Sequence, residues 1–481
     1  MSVYLVPSSP DSFYDQTNGG LRQDCSVCIG ERERHFHVFL PSAYDGKTLL
    51  PLVVSLHGSS GYQPQRDYWL FTAEREGFVL VYPEALKEVK WNIWGLRTDS
   101  SAPDDIQYLD AVLDYMTAHF AVDPSRIYMH GQSMGDNMAS YYAYLHPQRL
   151  AALAVTSGPV LPSVMYTPEG ELRFEPKHPL PVTRTHGEND YACGLPSTYG
   201  ISKQVIAEAL DVQEQINLRH IMDSIQKGLW KHINGIHGTP RLFFDLEKNV
   251  EFYRGEQADL LFYSIAGGVH RPFRNLFDSL WECSLAGYRR EGSRCVREYT
   301  SKLQPDPDAI AFAEGADSYY AGFQVQPLGQ IHVEIQDDSL YLSAKSLAQL
   351  FPHLNLLDNG PQAIFSFGGH ELQCAAGREL MLLDGYVKLS SPPYLSQGDL
   401  MIPAAQFLPL TGSFQAACRL GAAYITSRPF RITLDGAAAI KEMLGTAHIA
   451  SPAEALQAEK AIRDKIQSYL QNEKGEMKCH S

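Results

Sequence analysis

No stretch of the 481 residues reaches the roughly 18 consecutive apolar positions of a membrane span, so no transmembrane helix is expected. Cysteine is scarce. Eight in a chain of this length do not make a disulfide framework, and free thiols are expected for all of them. Cys25-x-x-Cys28 lacks the second half of a zinc site, and Cys283 with Cys295 would pair only in an oxidising compartment. Basic residues are outnumbered, 40 Lys+Arg against 55 Asp+Glu, and no dense Lys/Arg stripe occurs. A formal charge of −15 therefore excludes nucleic acid as the expected partner. The first residues lack the basic and long apolar regions of a secretory signal, so a cytoplasmic protein is expected; a secreted or cell-surface one would need a leader upstream.

What is present is ordinary globular composition, 44% hydrophobic and 20% charged, over a length too great for one core. The most informative stretch is Arg126-Ile-Tyr-Met-His-Gly-Gln-Ser-Met-Gly135. Ile127 to His130 reads as a short buried strand and Asp136 to His146 as a helix, with the G-x-S-x-G pattern between them. A serine on so sharp a turn projects its hydroxyl at the carboxyl end of a sheet. Gly131 and Gly135 are expected because a Cβ there would strike the neighbouring strand and helix. Ser133 is the candidate nucleophile, and the backbone N–H of Met134 a candidate oxyanion donor. The competing reading is a glycine-bounded turn whose serine only caps the helix.

Upstream, Pro51 to His57 is a continuous apolar run, as in a parallel strand buried on both faces. It ends in His57-Gly-Ser-Ser-Gly61, a loop suited to the second oxyanion donor, with the N–H of Ser59 favoured over that of Ser60. Trp91 and Trp94 in a later loop are read as walls of a substrate pocket, with hydrophobic plugging of the loop as the competing reading. Asp104 and Asp105 are read as capping groups of the helix that follows. His35 and His37 share a strand face but lack a third ligand, so no metal is expected. Downstream, Pro181 to His186 and Asp259 to Ile265 read as strands. The first ends in His186-Gly-Glu-Asn-Asp190 and the second in Gly267-Gly-Val-His270, giving the chain order Ser…Asp…His of one triad arrangement. Asp190 is favoured over Glu188 as the acid. Residues 195–258 interrupt the short strand–helix rhythm and are expected to form a helical cap over the site.

These motifs, with Leu56-His57-Gly58, Trp91-Asn92-x-Trp94, Val122-Asp-Pro-Ser-Arg-Ile-Tyr128 and Met138, make residues 30–290 resemble the polyhydroxybutyrate-depolymerase-type esterases, which include feruloyl and acetylxylan esterases. The resemblance implies the α/β-hydrolase fold, Ser133 as nucleophile, His270 as base, Asp190 as its partner and no cofactor. Two departures are visible. Asp136 stands where the family usually has a glycine, placing a negative charge near the site, and the interval from Asp190 to His270 is long.

The fold class expected is α/β: an α/β-hydrolase domain over 1–297 with the insertion at 195–258, a polar linker over 298–325, a small α+β repeat domain over 326–430 and a helical segment over 431–481. The repeat aligns Ser339-Leu-Tyr-Leu-Ser-Ala-Lys-Ser-Leu-Ala-Gln-Leu350 with Asp399-Leu-Met-Ile-Pro-Ala-Ala-Gln-Phe-Leu-Pro-Leu410. It resembles the copper-amine-oxidase N-terminal-like, or stalk, module, with no metal implied. Ser451-Pro-Ala-Glu454 is a capping box that opens a final helix, docked on the rest or used in self-association or cell-surface contact. The expected activity is hydrolysis of a small or polymer-linked carboxylic ester through an acyl-enzyme. A prolyl-oligopeptidase-type peptidase and a non-catalytic carbohydrate- or partner-binding protein are the alternatives.

Overall fold

In a computed structural model the residues described are 4–6, 20–61, 69–86, 90–93, 104–190, 203–270, 276–298, 303, 305–378, 380–382, 385–412 and 414–479. The organising element is a mixed sheet. Its strands are β1 (Tyr4–Val6), β2 (Leu21–Ile29), β3 (Arg32–Leu40), β4 (Leu50–Leu56), β5 (Val79–Pro83), β6 (Val122–Gln132), β7 (Ala152–Thr156), β8 (Val182–Gly187), β9 (Arg241–Phe244), β10 (Lys248–Tyr253) and β11 (Leu260–Ile265). Their order is β1-β2-β3-β5-β4-β6-β7-β8-β11-β10-β9. The central strands, β5 to β11 in that order, are parallel, and the outer pairs at both ends are antiparallel. This is the α/β-hydrolase fold.

Continuous apolar strands bury both faces, as a parallel sheet covered by helices requires. Leu52 and Val54 of β4 face one core with Met129 of β6, while Val53 and Tyr128 face the other. The first core is closed by helices α2 (Asp105–His119) and α3 (Met134–Leu145), the second by α1 (Trp69–Glu76) and residues 276–285. Strand order reverses at β4, so the carboxyl ends of β4 and β6 lie side by side, with Leu56 opposite Gly131. Such a crevice is where ligands meet open α/β sheets.

Residues 21–29, outside every strand expected from the sequence, form β2, fully paired with β3. The 195–258 insertion differs more from expectation. Helices α4 (Lys203–Ala209) and α5 (Val212–Ile233) are followed by β9 and β10, which extend the sheet edge. Leu218, Met222, Ile225 and Trp230 of α5 enter the main core. The helix is thus the crossover that two parallel strands, β8 and β11, need between them. Residues 191–202 lie outside those described.

The expected linker is also structured: Ile310–Ala313, Ser318–Ala321 and Gln324–Pro327 are strands of a five-stranded sheet completed by Gln415–Arg419 and Ala422–Thr426. Its polar, Gly- and Asp-containing residues occupy the turns between short strands. The repeat is visible as strand–helix pairs, Ser339–Ser343 with Ala344–Leu350 and Asp399–Pro403 with Ala404–Phe407, whose strands pair antiparallel at Leu342 and Ile402. Helices α6 (Leu434–Met443) and α7 (Pro452–Cys479) return to the hydrolase domain. Ser451 and Glu454 bond each other's backbone N–H at the start of α7, and Ala455, Ile462 and Ile466 of that helix join the main core.

Candidate active site

Strand β6 runs straight into α3 through Ser133, whose backbone is at φ 56° and ψ −120°. A non-glycine residue is held there only if the surroundings over-determine it. They do. Ser133 N–H donates to Thr156 of β7 at 2.8 Å, and its carbonyl accepts from the N–H of Asp136 at 2.9 Å. A Cβ on Gly131 would lie 2.2 Å from the Gly135 carbonyl oxygen, and one on Gly135 would lie 2.1 Å from that of Leu56. Glycine is the residue that fits at both.

At the carboxyl ends of β8 and β11 the chain makes two interlocked loops. Glu188 N–H donates to Ile265 and Asn189 N–H to Gly268, at 2.9 and 2.8 Å. Asp190 and His270 are thereby brought to Ser133. His270 Nε2 lies 2.9 Å from Ser133 Oγ, and its Nδ1 lies 2.7 Å from Asp190 Oδ2. With Nδ1–H donating to the carboxylate, Nε2 is left to accept the serine proton. Asp190 is buried and His270 about a quarter exposed, so the line of groups opens toward solvent at the imidazole end.

The His57–Gly61 loop lies beside the serine, where a Cβ on Gly58 would fall 3.2 Å from Ser133 Cβ. His57 fixes this loop. Its Nδ1 donates to the Gly58 carbonyl at 2.7 Å and its Nε2 accepts from Ala85 N–H at 3.0 Å, as the neutral ring requires. Burial depresses its pKa in keeping with that. Ser59 follows on an exposed turn, and Met134 is buried at the first position of α3, where backbone N–H groups have no intrahelical acceptor.

Several expectations need correction. Trp91 lines no open pocket: it is fully buried, its indole N–H donating to the His57 carbonyl at 2.8 Å and its ring packing on the imidazole 5.1 Å away. Trp94 lies outside the described residues. Asp104 caps α2 through Gln107 N–H at 2.9 Å, but Asp105 is buried in an ion pair with Arg34 at 2.7 Å. Asp136 is turned away from solvent. It is buried, accepts Gly158 N–H at 2.8 Å, and faces Arg184 at 3.4 Å; burial outweighs the positive neighbours and raises its pKa to about 6. Glu188 bonds Gly267 and the C-terminal region, and it is Asp190 that bonds His270. His37 sits between Asp24 and Glu84, at 2.6 and 2.9 Å, and among the described residues no cluster of three or more potential ligands is placed to hold a metal ion. Cys283 and Cys295 are not joined in a disulfide.

Residues 35–166 match the Esterase PHB depolymerase family model. The matched segment runs from β3 past the elbow and carries Ser133, while Asp190 and His270 lie beyond it. Curated relatives include a bifunctional acetylxylan esterase/xylanase of Neocallimastix patriciarum, 31% identical over 175 residues, 35% of this chain and 23% of that protein. A feruloyl esterase B of Piromyces equi is 24% identical over 156 residues, 32% of this chain and 28% of that one. Against these two relatives the chain spans less than a third of their length. Among solved structures, the acetyl xylan esterase from Aspergillus awamori is 15% identical with a TM-score of 0.37, covering 58% of this chain and 98% of that chain. The poly(3-hydroxybutyrate) depolymerase LpqC from Bordetella parapertussis is 19% identical with a TM-score of 0.33, covering 44% and 80%.

Proposed function

We propose that the chain is a serine esterase in which Ser133, His270 and Asp190 act as the catalytic triad. The observation that carries this reading is the unbroken hydrogen-bonded line from Ser133 Oγ through His270 to Asp190 at a strained strand-to-helix elbow. The esterase-family match to the segment bearing Ser133 supports the ester as substrate class.

In this mechanism His270 Nε2 removes the Ser133 proton as Oγ attacks the ester carbonyl. Asp190 holds the ring in the tautomer that leaves Nε2 free and stabilises the imidazolium that forms. The tetrahedral oxyanion is held by the N–H groups of Met134 and Ser59, each worth ~10²–10³ in rate. Collapse expels the alcohol, protonated by His270, and leaves an acyl-enzyme that water hydrolyses with His270 again as base. No step calls for a metal or organic cofactor.

Acetyl, feruloyl-type and short hydroxyalkanoate esters are the proposed substrates, on the strength of the acetylxylan and feruloyl esterase relatives. The test is a panel of p-nitrophenyl acetate, butyrate and octanoate with methyl ferulate and one matched anilide. Turnover of the esters with the anilide spared is the expected result. Preferential cleavage of the anilide would transfer the site to a peptidase.

A further inference from the structure

The two loops that carry Asp190 and His270 are held by residues far outside the esterase-family segment. Glu188, two positions before Asp190, is buried, and one of its carboxylate oxygens accepts the N–H of Gly267 at 2.8 Å. That bond ties the acid loop to the histidine loop. The remaining partners of Glu188 come from the C-terminal region: Leu434 N–H at 3.2 Å, Arg431 Nη2 at 3.3 Å, and Arg419 Nη1. Arg419 is itself fixed by the Ile432 carbonyl at 2.7 Å.

A second clamp approaches from α5. The fully buried Arg219 donates through Nη1 to the carbonyls of Gly187, Glu188 and Asp190, at 3.3, 3.2 and 3.3 Å. Its Nη2 is paired with Asp435 at the start of α6. Asp435 also accepts from Ser264 Oγ at 2.5 Å, on the strand that leads to His270, and lies 3.1 Å from His220 Nε2. Simple adhesion between a sheet edge and a neighbouring domain would be served by apolar contact, and β9 supplies that separately through Leu242 and Phe244. Buried charges cost desolvation, and in some proteins they specify geometry. Here they converge on the two loops whose relative placement sets the triad.

We propose that Glu188 and the Arg219–Asp435 pair are positioning residues, through which residues 419–435 of the C-terminal region hold the Asp190 and His270 loops in register. The proposal rests on the triad reading above and adds a dependence of that triad on a part of the chain remote from Ser133 in sequence.

The test uses the full chain with Arg431→Ala, Arg419→Ala/Arg431→Ala, Asp435→Asn and Arg419→Lys/Arg431→Lys. Two quantities are read: kcat and KM for p-nitrophenyl acetate, and the strongly deshielded proton resonance of His270 Nδ1–H, assigned by its loss in Asp190→Ala and His270→Ala. In the double alanine variant and Asp435→Asn, kcat is expected to fall by about 10–10²-fold with KM held within about twofold. The proton resonance weakens or shifts in parallel, and the double lysine variant recovers most of both. Folded variants that keep the wild-type kcat and resonance would overturn the proposal, as would a fall in kcat with the resonance unchanged. Should the double variant not fold, Arg431→Ala, whose side chain is about half exposed, is read in its place. If the wild type shows no Ser133-dependent turnover, the esterase reading fails, and the resonance alone decides the positioning claim.

Discussion

At the scale of single residues the site is built from positions whose backbone leaves little choice. Ser133 carries an unfavourable conformation that costs on the order of 1–3 kcal/mol. Glycine adopts that region without penalty. Ser133→Gly is therefore expected to be more stable than Ser133→Ala by about 1 kcal/mol in denaturant titration, although both lack the nucleophile. Equal stability of the two would show that the elbow holds no strain. Gly135→Ala should act in the opposite direction, since its Cβ meets the Leu56 carbonyl, and is expected to cost about 3 kcal/mol or more by the same titration.

The pattern G-x-S-x-G was legible because its spacing is fixed by the turn: Gly131 is dictated by the Gly135 carbonyl within the motif, and Gly135 by the Leu56 carbonyl of the neighbouring strand. Trp91, Asp105, Asp136 and Glu188 were not legible, because what decides their role is burial against partners distant in sequence. Asp105 pairs with Arg34, and Glu188 with Arg419 and Arg431. Two acidic residues before a helical pattern look alike until one of them is seen to point inward.

At the scale of elements, strands β4, β6, β8 and β11 were readable as short strands that end in functional loops, whereas residues 310–327 were not. Strands of four residues separated by polar turns have the composition of a linker. The role of α5 was also hidden, since its amphipathic pattern serves a lid or a crossover equally. Its contact with β8 is electrostatic as well as apolar. Asp223 lies 3.0 Å from His186 Nε2 and 3.5 Å from Arg184 Nε. Burial opposes its ionisation, but His186, Arg184 and Arg219 outweigh burial and lower its pKa to about 2. A carboxylate depressed below its unfolded value adds stability above that value, and the contribution fades as pH falls through the folded one. Asp223→Asn should thus be less stable than wild type at neutral pH by on the order of 2 kcal/mol. The gap should narrow between pH 4 and pH 2, the window set by the unfolded value near 3.8 and the folded value. Thermal unfolding of both proteins across that range checks the sign, and a gap that widens in acid would refute it.

At the scale of the whole molecule, the C-terminal region is continuous with the hydrolase domain. Phe244 of β9 stacks on Tyr424 with ring centroids 4.4 Å apart, and Ser163 bonds Glu459 of α7 through both N–H and Oγ. Lys227 of α5 joins Glu251 of β10 to Glu442 of α6, at 2.9 and 3.0 Å. The internal repeat at Ser339 and Asp399 was visible in sequence because strand and helix recur in step, but nothing local announced where the repeat docks. Contacts that combine aromatic stacking with buried charge make the parts interdependent. A chain ended at residue 297 would bare Leu242 and Phe244 and lose three core residues of α7. It is expected to aggregate, while the full chain unfolds in one calorimetric transition. Two well-separated transitions, with a soluble and active 1–297 fragment, would contradict this.

The most direct measurement of the central claim is covalent labelling with a fluorophosphonate, followed by peptide mass analysis, in wild type and Ser133→Ala alongside p-nitrophenyl acetate turnover. The account predicts one modified residue, Ser133, with labelling and turnover both lost on substitution. Labelling elsewhere, or turnover that survives Ser133→Ala, would contradict it.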